Sequence, residues 1–241
     1  MQYASRLDLL GTETAFAVSV DTKNWANKGH KVFPFHLGDI NLPTPSNIQE
    51  AAMKHMHDGK TGYCPAEGIP ELRDALSQDV GQRRGINYTA ENVAIHPGGK
   101  PTIWKFISAV MNRGDEVLYP NPGYPIYESQ IEYQGGMATP YIYRETDDGF
   151  AIDIDQLKES ISGKTRVLIY NNYQNPLSAS SSREEMEALA EIAIEHDLWV
   201  LSDDAYFEIR YVDEPPNSIV SLPGMRERTA ILYTFSKKYA M

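Results

Sequence analysis

Short apolar segments without polar alternation recur along this chain, and amphipathic segments separate them. The clearest apolar segments are residues 93–95, 116–119, 165–170, 198–201 and 229–234. Strands of this kind are buried on both faces, which is typical of a parallel sheet covered by helices. We therefore predict an α/β fold with a mostly parallel sheet and helices on both of its faces.

Amphipathic helical patterns occupy the intervals between the strands, as the crossover connections of a parallel sheet require. One helix is predicted to begin near Pro70 and to end at Gly85. Another is predicted to be capped by Ser182, with Glu185 three residues later. Further helices are predicted over residues 48–57, 103–110, 126–133 and 155–161, with an extended segment over residues 139–143.

Charge and cysteine content narrow the class of function. The 241 residues include 22 Lys and Arg and 33 Asp and Glu, so the formal net charge is −11. This acid excess argues against a nucleic-acid binder, whose surface is basic. The single cysteine, Cys64, excludes an internal disulfide framework, and no apolar run reaches the roughly 18–20 residues of a membrane helix. Because the N-terminus also lacks a secretory pattern, we expect a cytoplasmic enzyme.

Chemically useful residues follow the predicted strands at the point where each strand ends. In open α/β sheets, ligands bind outside the carboxyl ends of the strands. This set of residues suits a pyridine-aldehyde cofactor better than a nucleotide. The strand ends supply a Gly-Gly turn, an aromatic ring, an amide, a carboxylate, a phenol and a lysine, in Gly98-Gly99-Lys100, residues 121–124, Asn175, Asp203 with Tyr206, and Ser236-Lys237.

Seven short motifs occur in one order along nearly the whole chain. They are Leu37-Gly38-Asp39, Gly62-Tyr63 with Ala66-Glu67-Gly68, Gly98-Gly99-Lys100, Pro122-Gly123-Tyr124-Pro125, Asn175-Pro176, Asp203-Asp204-Ala205-Tyr206 and Thr234-Phe235-Ser236-Lys237-Lys238-Tyr239-Ala240-Met241. Each motif alone is weak, but the seven together are specific. Through them the chain resembles the fold-type I aminotransferases of class I and II, which use pyridoxal 5′-phosphate (PLP).

The resemblance implies roles for five residues around the cofactor ring. Lys237 would form a Schiff base with the aldehyde and later move a proton at the substrate α-carbon. Asp203 would keep the ring nitrogen protonated, since a nearby carboxylate stabilises a pyridinium charge. Asn175 and Tyr206 would donate hydrogen bonds to the phenolic oxygen, and Tyr124 would stack on the ring.

The resemblance also implies positions for the phosphate and the substrate. Backbone N–H groups at a helix start bind phosphate, and Gly98-Gly99-Lys100 precedes a predicted helix. Thr234 matches a family position that touches the phosphate, and Ser236 lies two residues further on. Tyr63 matches a tyrosine that reaches the cofactor of a neighbouring subunit, which implies a homodimer with shared sites. Gly38 matches a backbone position near the substrate carboxylate.

Two neighbours of these residues are expected to have ordinary roles. We expect Lys238 to be a solvated surface lysine and Asp204 to cap a helix. A metal is not expected, because the six histidines are scattered along the chain and do not form a zinc-binding pattern.

Two departures from the family pattern concern one loop and the end of the chain. The family often reads Asn-Pro-Thr-Gly where this chain has Asn175-Pro176-Leu177-Ser178. Family members also continue past the lysine with two arginines, one for the phosphate and one for the substrate carboxylate. We therefore expect residues 1–40 to be an arm belonging to a smaller domain and residues 41–241 to be an incomplete PLP-binding large domain. Such a chain alone is expected to bind PLP weakly and to transaminate negligibly.

The leading hypothesis is PLP-dependent transamination between an α-amino acid and a 2-oxo acid. A C–S or β-lyase, or a cyclopropane-forming synthase, would carry the same motifs. A non-catalytic PLP-binding protein or an inactive fragment is a third alternative. A PLP-sensing regulator is disfavoured, because such proteins are usually fused to a basic DNA-binding segment and this chain has a net charge of −11.

Overall fold

The computed structural model describes residues 2–11, 14–36, 38, 40–211 and 217–241. Within these ranges, helices precede the first strand and then alternate with strands. The helices are α1 (Thr14–Asn27), α2 (Ser46–His57), α3 (Pro70–Arg84), α4 (Lys100–Val110), α5 (Ile126–Tyr133), α6 (Ile154–Glu159), α7 (Arg183–Glu195) and α8 (Phe235–Tyr239). The strands are β1 (Glu116–Asn121), β2 (Met137–Thr146), β3 (Gly149–Ile152), β4 (Thr165–Asn171), β5 (Trp199–Asp203) and β6 (Thr229–Leu232).

The strands form one sheet in the order β3-β2-β1-β4-β5-β6. The pairs β2·β1, β1·β4, β4·β5 and β5·β6 are parallel, and β3 is joined to β2 as an antiparallel hairpin. The predicted α/β fold with a mostly parallel sheet is therefore confirmed. The sequence pattern does not indicate β3, because its four residues are too few to show a period.

Alternate residues of the central strand β4 enter two separate hydrophobic cores. Val167 and Ile169 pack in the core that also contains the buried face of α4. Leu168 and Tyr170 pack in the other core, together with Leu189 of α7. All four strand residues are buried, so β4 is covered by helices on both faces. This double burial is the physical reason why its sequence is continuously apolar rather than alternating.

The strand predicted over residues 93–95 is not formed, and that prediction is wrong. A strand needs a neighbouring strand for its backbone hydrogen bonds, and here a cavity of about 520 Å³ separates this segment from β6. Other groups satisfy the segment's backbone. Ile95 N donates to Glu67 O at 2.8 Å, and Arg73 Nε donates to Val93 O at 2.8 Å.

Two predicted helix ends agree with the structure. Ser182 caps α7 by accepting a hydrogen bond from Glu185 N at 3.1 Å. Helix α3 ends before Gly85, whose φ of 66° is left-handed, as expected for a glycine that closes a helix. None of the helices in the described ranges is long and apolar enough to cross a membrane.

Candidate active site

The carboxyl ends of the parallel strands bring most of the candidate residues to one edge of the sheet. Asp203 is the last residue of β5, and Asn171, at the end of β4, donates from Nδ2 to Asp203 O at 2.8 Å. Thr234 lies just beyond β6, and helix α8 with Lys237 follows it directly. A side chain added at Gly99 would lie 3.4 Å from Thr234 Cγ2, so the turn before α4 reaches the same edge.

Asp203 is the most strongly perturbed carboxylate at this edge. Its side chain is buried, accepting a hydrogen bond from Tyr127 Oη at 2.6 Å and one from Ala205 N at 3.1 Å. Burial raises the pKa of Asp203 to about 6, and the neighbouring charge of Asp204 acts in the same direction. The two hydrogen bonds favour the ionised form and oppose this rise in pKa. Because burial disfavours the negative charge of this carboxylate, the group is suited to pairing with a cation, such as a protonated ring nitrogen.

Sequence reasoning missed two residues that hold Asp203 in place. Tyr127 lies on α5, three residues after the candidate Tyr124, and its ring is fully buried. Asn171 also accepts a hydrogen bond from Asn175 N at 3.0 Å, so one side chain links the β4 loop to the Asp203 backbone. A buried tyrosine on a helix looks like an ordinary core residue in the sequence, and Asn171 looks like the start of a polar loop.

Asp203→Asn is expected to stabilise the cofactor-free protein at neutral pH. The pKa of the carboxyl rises on folding from 3.8 to about 6. Below about pH 3 the group is protonated in both states, and the wild-type protein loses stability as the pH rises from about 4 to about 6. An amide avoids this loss, so the variant should gain on the order of 3 kcal/mol above about pH 7 and nothing below about pH 3. Urea denaturation, at one pH above about 7 and one below about 3, measures the difference in the free energy of unfolding between the variant and the wild type.

Asp155→Asn, at an exposed position on α6, is the matched control for this measurement. It changes the same functional group without changing a buried site. A gain in Asp203→Asn that is equal at both pH values, or a loss at neutral pH, would contradict the account of Asp203 as a buried, unfavourably charged carboxylate.

The turn before α4 and the segment after β6 together form a candidate phosphate site. Gly98 has a φ of 93°, which glycine adopts without strain, and Gly99 immediately precedes the first residue of α4. Thr234 Oγ1 is buried and makes no hydrogen bond within the described residues. A buried hydroxyl without a partner beside the N-terminus of an 11-residue helix fits an anionic ligand.

Lys237, Gly38 and Tyr206 meet beside this turn. Lys237 Nζ donates to Gly38 O at 2.7 Å and lies 5.5 Å from the centroid of the Tyr206 ring. A side chain added at Gly38 would lie 3.9 Å from Tyr206 Oη. The candidate lysine therefore contacts the candidate substrate position and one of the candidate cofactor residues. Leu37 and Asp39, which flank Gly38 in the motif, lie outside the described residues.

Tyr124 joins the site through Tyr127. The two rings meet edge to face, with their centroids 5.7 Å apart and an angle of 86° between their planes. Because Tyr127 also donates to Asp203, a chain of contacts leads from Tyr124 to the buried carboxylate. This arrangement places an aromatic ring on the same side of the sheet as the candidate pyridine partner.

Three candidate residues have exposed side chains outside this cluster. Tyr63 is fully exposed. Lys100 is exposed at the first position of α4, and Ser236 is exposed in the first turn of α8. The backbone positions of Lys100 and Ser236 still adjoin the candidate phosphate site, whereas Tyr63 lies in the loop between α2 and α3.

Two neighbouring residues do not have the ordinary roles expected of them. Lys238 is not a solvated surface lysine, since its side chain is 14% exposed and lies 3.2 Å from Asp79 Oδ2. Asp204 does not cap a helix, since it is buried and accepts a hydrogen bond from Arg84 Nη2 at 2.6 Å. In both cases a charge on α3, distant in sequence, supplies the partner.

This fold and this set of residues define a class of protein. The family model for aminotransferases of class I and II matches residues 31–241, and the chain therefore belongs to that family. Proteins of this family generally use PLP.

Two relatives and one solved structure show which members of this family are similar to the chain. The aspartate aminotransferase of Bacillus subtilis strain 168 is 29% identical over 242 aligned residues, which cover 100% of this chain and 61% of the relative. The asparagine–oxo-acid transaminase of Streptococcus mutans is 33% identical over 93% of this chain and 58% of its own length. The structure of Thermus thermophilus aspartate aminotransferase with maleate matches with a TM-score of 0.93 at 28% identity, over 100% of this chain and 62% of that chain. The chain thus spans about three fifths of the length of these relatives.

Proposed function

We propose that the protein takes part in PLP-dependent transamination between an α-amino acid and a 2-oxo acid. The observation that carries the proposal is the meeting of three groups at one edge of the sheet. These groups are the buried carboxylate of Asp203, the amine of Lys237 beside Tyr206, and the turn at Gly99 beside Thr234. Together they match the charged nitrogen, the aldehyde and the phosphate of a single small cofactor.

The residues present fit PLP on two structural grounds. Thr234 Oγ1 is buried without a hydrogen-bond partner in the described chain, as expected of a group that an anionic ligand completes. Asp203 is buried with a pKa raised to about 6, and a pyridinium nitrogen would supply the missing positive charge. When bound, PLP supplies an aldehyde for the amine and a protonated ring that withdraws electrons.

Each residue of the chain has a distinct task in this proposal. Lys237 would bind the aldehyde and would move a proton at the substrate α-carbon. Asp203 would stabilise the charge on the ring nitrogen, Tyr127 keeps Asp203 oriented, and Asn175 and Tyr206 would donate hydrogen bonds to the phenolic oxygen.

The remaining candidates bind the ring face, the phosphate and the substrate. Tyr124 packs on the ring, and Gly38 lies near the substrate carboxylate. The phosphate would be held by Gly98, Gly99, Lys100, Thr234 and Ser236, and Tyr63 would reach the phosphate of a neighbouring subunit.

The proposal also covers the oligomeric state, the domain organisation and the cellular location of the protein. A tyrosine that serves the neighbouring site requires a homodimer, and an exposed Tyr63 is compatible with that role. We also propose that residues 1–40 belong to a smaller domain, that residues 41–241 form the PLP-binding domain, and that the protein works in the cytoplasm.

Absorption spectroscopy and product analysis test the proposed function. The purified protein is titrated with PLP, and then an amino acid is added with and without a 2-oxo acid. Transamination predicts a visible absorption band that disappears with the amino acid and returns with the oxo acid. Release of ammonia and an oxo acid without any acceptor would identify a lyase instead. Absence of any PLP-dependent band, at PLP concentrations high enough to fill a weak site, would contradict the proposed function.

A further inference from the structure

The two consecutive lysines of α8 face different parts of the molecule. Lys237 Nζ is directed at Gly38 O, 2.7 Å away. Lys238 Nζ is directed at α3, where it lies 3.2 Å from Asp79 Oδ2. Successive residues of a helix are rotated by about 100°, so a helix that turns one lysine toward the site turns the other away. The orientation of α8 therefore decides which amine faces the candidate cofactor site.

Lys238 is held by groups from three different segments. Besides Asp79 of α3, it lies 3.9 Å from Glu208 Oε1 in the loop after β5. Its Nζ also lies 5.7 Å from the centroid of the Tyr233 ring and 5.0 Å from that of the Tyr239 ring. Two carboxylates and two aromatic faces thus surround an ammonium group whose side chain is largely removed from water.

Arg83 completes the cluster and ties its two carboxylates together. Its Nε donates to Asp79 Oδ1 and its Nη1 donates to Glu208 Oε2, both at 3.0 Å. An isolated exposed ion pair contributes little, but two cations shared between two carboxylates form a network. This network connects α3, the loop that carries Tyr206, and α8.

Helix α8 needs such an external support. It has five residues, and a helix of this length is not stable on its own in water. Lys238 is the residue of α8 that is ion-paired to α3 and to the β5 loop, as far as the described residues show. Loss of its pairing would leave the rotation of α8, and with it the direction of the Lys237 amine, weakly fixed.

We propose that Lys238 is a positioning residue, which through Asp79 and Glu208 orients α8 so that the Lys237 amine faces Tyr206 and Gly38. The inference rests on the proposed function, since it concerns the lysine that would join the cofactor. It also explains how the protein discriminates between two adjacent amines. An ammonium between two carboxylates keeps its proton and is not a nucleophile, whereas Lys237 has no carboxylate within salt-bridge distance in the described residues.

The electrostatics of the cluster agree with this account. Burial alone would lower the pKa of Lys238, but the interactions with Tyr233 and Tyr239 and the hydrogen bond to Asp79 outweigh burial and raise it. Burial likewise would raise the pKa of Asp79, and the hydrogen bonds from Arg83 and Lys238 lower it instead. Both partners are therefore charged at neutral pH.

Covalent trapping tests the proposal. The protein is incubated with PLP and reduced with borohydride, which fixes the cofactor to the amine that it has joined, and the labelled lysine is identified by peptide mass spectrometry. The wild-type protein should carry the label on Lys237. Lys238→Met should lower the rate of labelling at Lys237 by about fivefold or more, and Lys238→Arg, which keeps the charge, should restore most of it.

Removing the carboxylates tests the other half of the proposal. In the double variant Asp79→Asn/Glu208→Gln, part of the label should move to Lys238, because its amine is no longer held or kept protonated. Lys54→Met, which removes the ion pair between Lys54 of α2 and the following residue Asp58, is the matched control for Lys238→Met and should label like the wild type. Thermal melting of each variant separates misfolding from misplacement.

The possible failures are distinguishable. If Lys238→Met folds and labels Lys237 at the wild-type rate, Lys238 is not a positioning residue and the inference is overturned while the proposed function stands. If the wild-type protein carries no label on Lys237, the proposed function is wrong and the inference falls with it.

Discussion

Lys237→Ala is expected to abolish the visible absorption band that PLP gives with the wild-type protein and to reduce any transamination that the wild-type protein shows by at least about 10³-fold. The reason is geometric. Among the described residues, Lys237 is the lysine whose amine contacts Gly38 O and lies over the Tyr206 ring. The adjacent Lys238 is held on the opposite side by Asp79 and is not placed to substitute for it. Under the proposed function, the variant would therefore lack both the amine that joins the aldehyde and the group that moves the substrate proton.

The measurement combines PLP titration, followed by absorbance, with an assay of amino-group transfer. Lys158→Ala, at an exposed position of α6, is the matched control and should bind and react like the wild type. An intact absorption band in Lys237→Ala would show that another lysine joins the cofactor. If the band is lost but turnover is unchanged, the reaction does not use this lysine.

The parts of the fold that follow from burial could be predicted from the sequence. Residues 165–170 of β4 show no polar alternation because Leu168 and Ile169 face different cores. Burial on both faces can therefore be predicted from the local sequence. The edge location of Asp203 and Lys237 follows from the same pattern, because parallel strands end at a common edge. The chemical roles proposed for these residues come from the motifs, which occur along the chain in the same order as in the aminotransferase family.

Contacts between distant segments could not be predicted in this way. Residues 93–95 have the composition of a strand, but a strand also requires a neighbour at hydrogen-bonding distance, which no local pattern specifies. The partners of Asp203 and Lys238 lie 76 and 159 residues away in the sequence, on helices whose patterns show only an apolar face. Polar tertiary contacts of this kind have no period, so Tyr127 and Asp79 were indistinguishable from ordinary helix residues.

The buried ion pair between Arg84 and Asp204 is another contact between distant segments. Arg84 Nε and Nη2 donate to Asp204 Oδ2 at 3.1 and 2.6 Å, and Ser202 Oγ donates to Asp204 Oδ1 at 2.7 Å. The guanidinium also lies over the Phe207 ring, 3.8 Å from its centroid. Both charged side chains are essentially inaccessible to water, at 0% and 2%. The pair fixes the end of α3 to the residue that immediately follows Asp203.

Arg84→Met is expected to lower the free energy of unfolding by about 3–5 kcal/mol, because it leaves the Asp204 carboxylate buried without a cation. The double variant Arg84→Met/Asp204→Leu should recover most of this loss, since a buried pair replaced by apolar residues of similar volume is close to neutral. Urea denaturation measures each variant. Arg183→Met, which breaks an exposed pair with Glu187, is the matched control and should change stability by less than about 1 kcal/mol.

Recovery of stability need not bring recovery of function, and the difference separates two roles of the pair. The negative charge of Asp204 raises the pKa of Asp203, and Arg84 is the cation that compensates that charge from the far side. If the pair only stabilises the fold, the double variant should bind PLP as the wild type does. If it also orients the end of β5, the double variant should be stable and yet bind PLP more weakly, because the buried link between α3 and the residue that follows Asp203 is then lost. A double variant as unstable as Arg84→Met would contradict the buried unpaired charge as the cause of the loss.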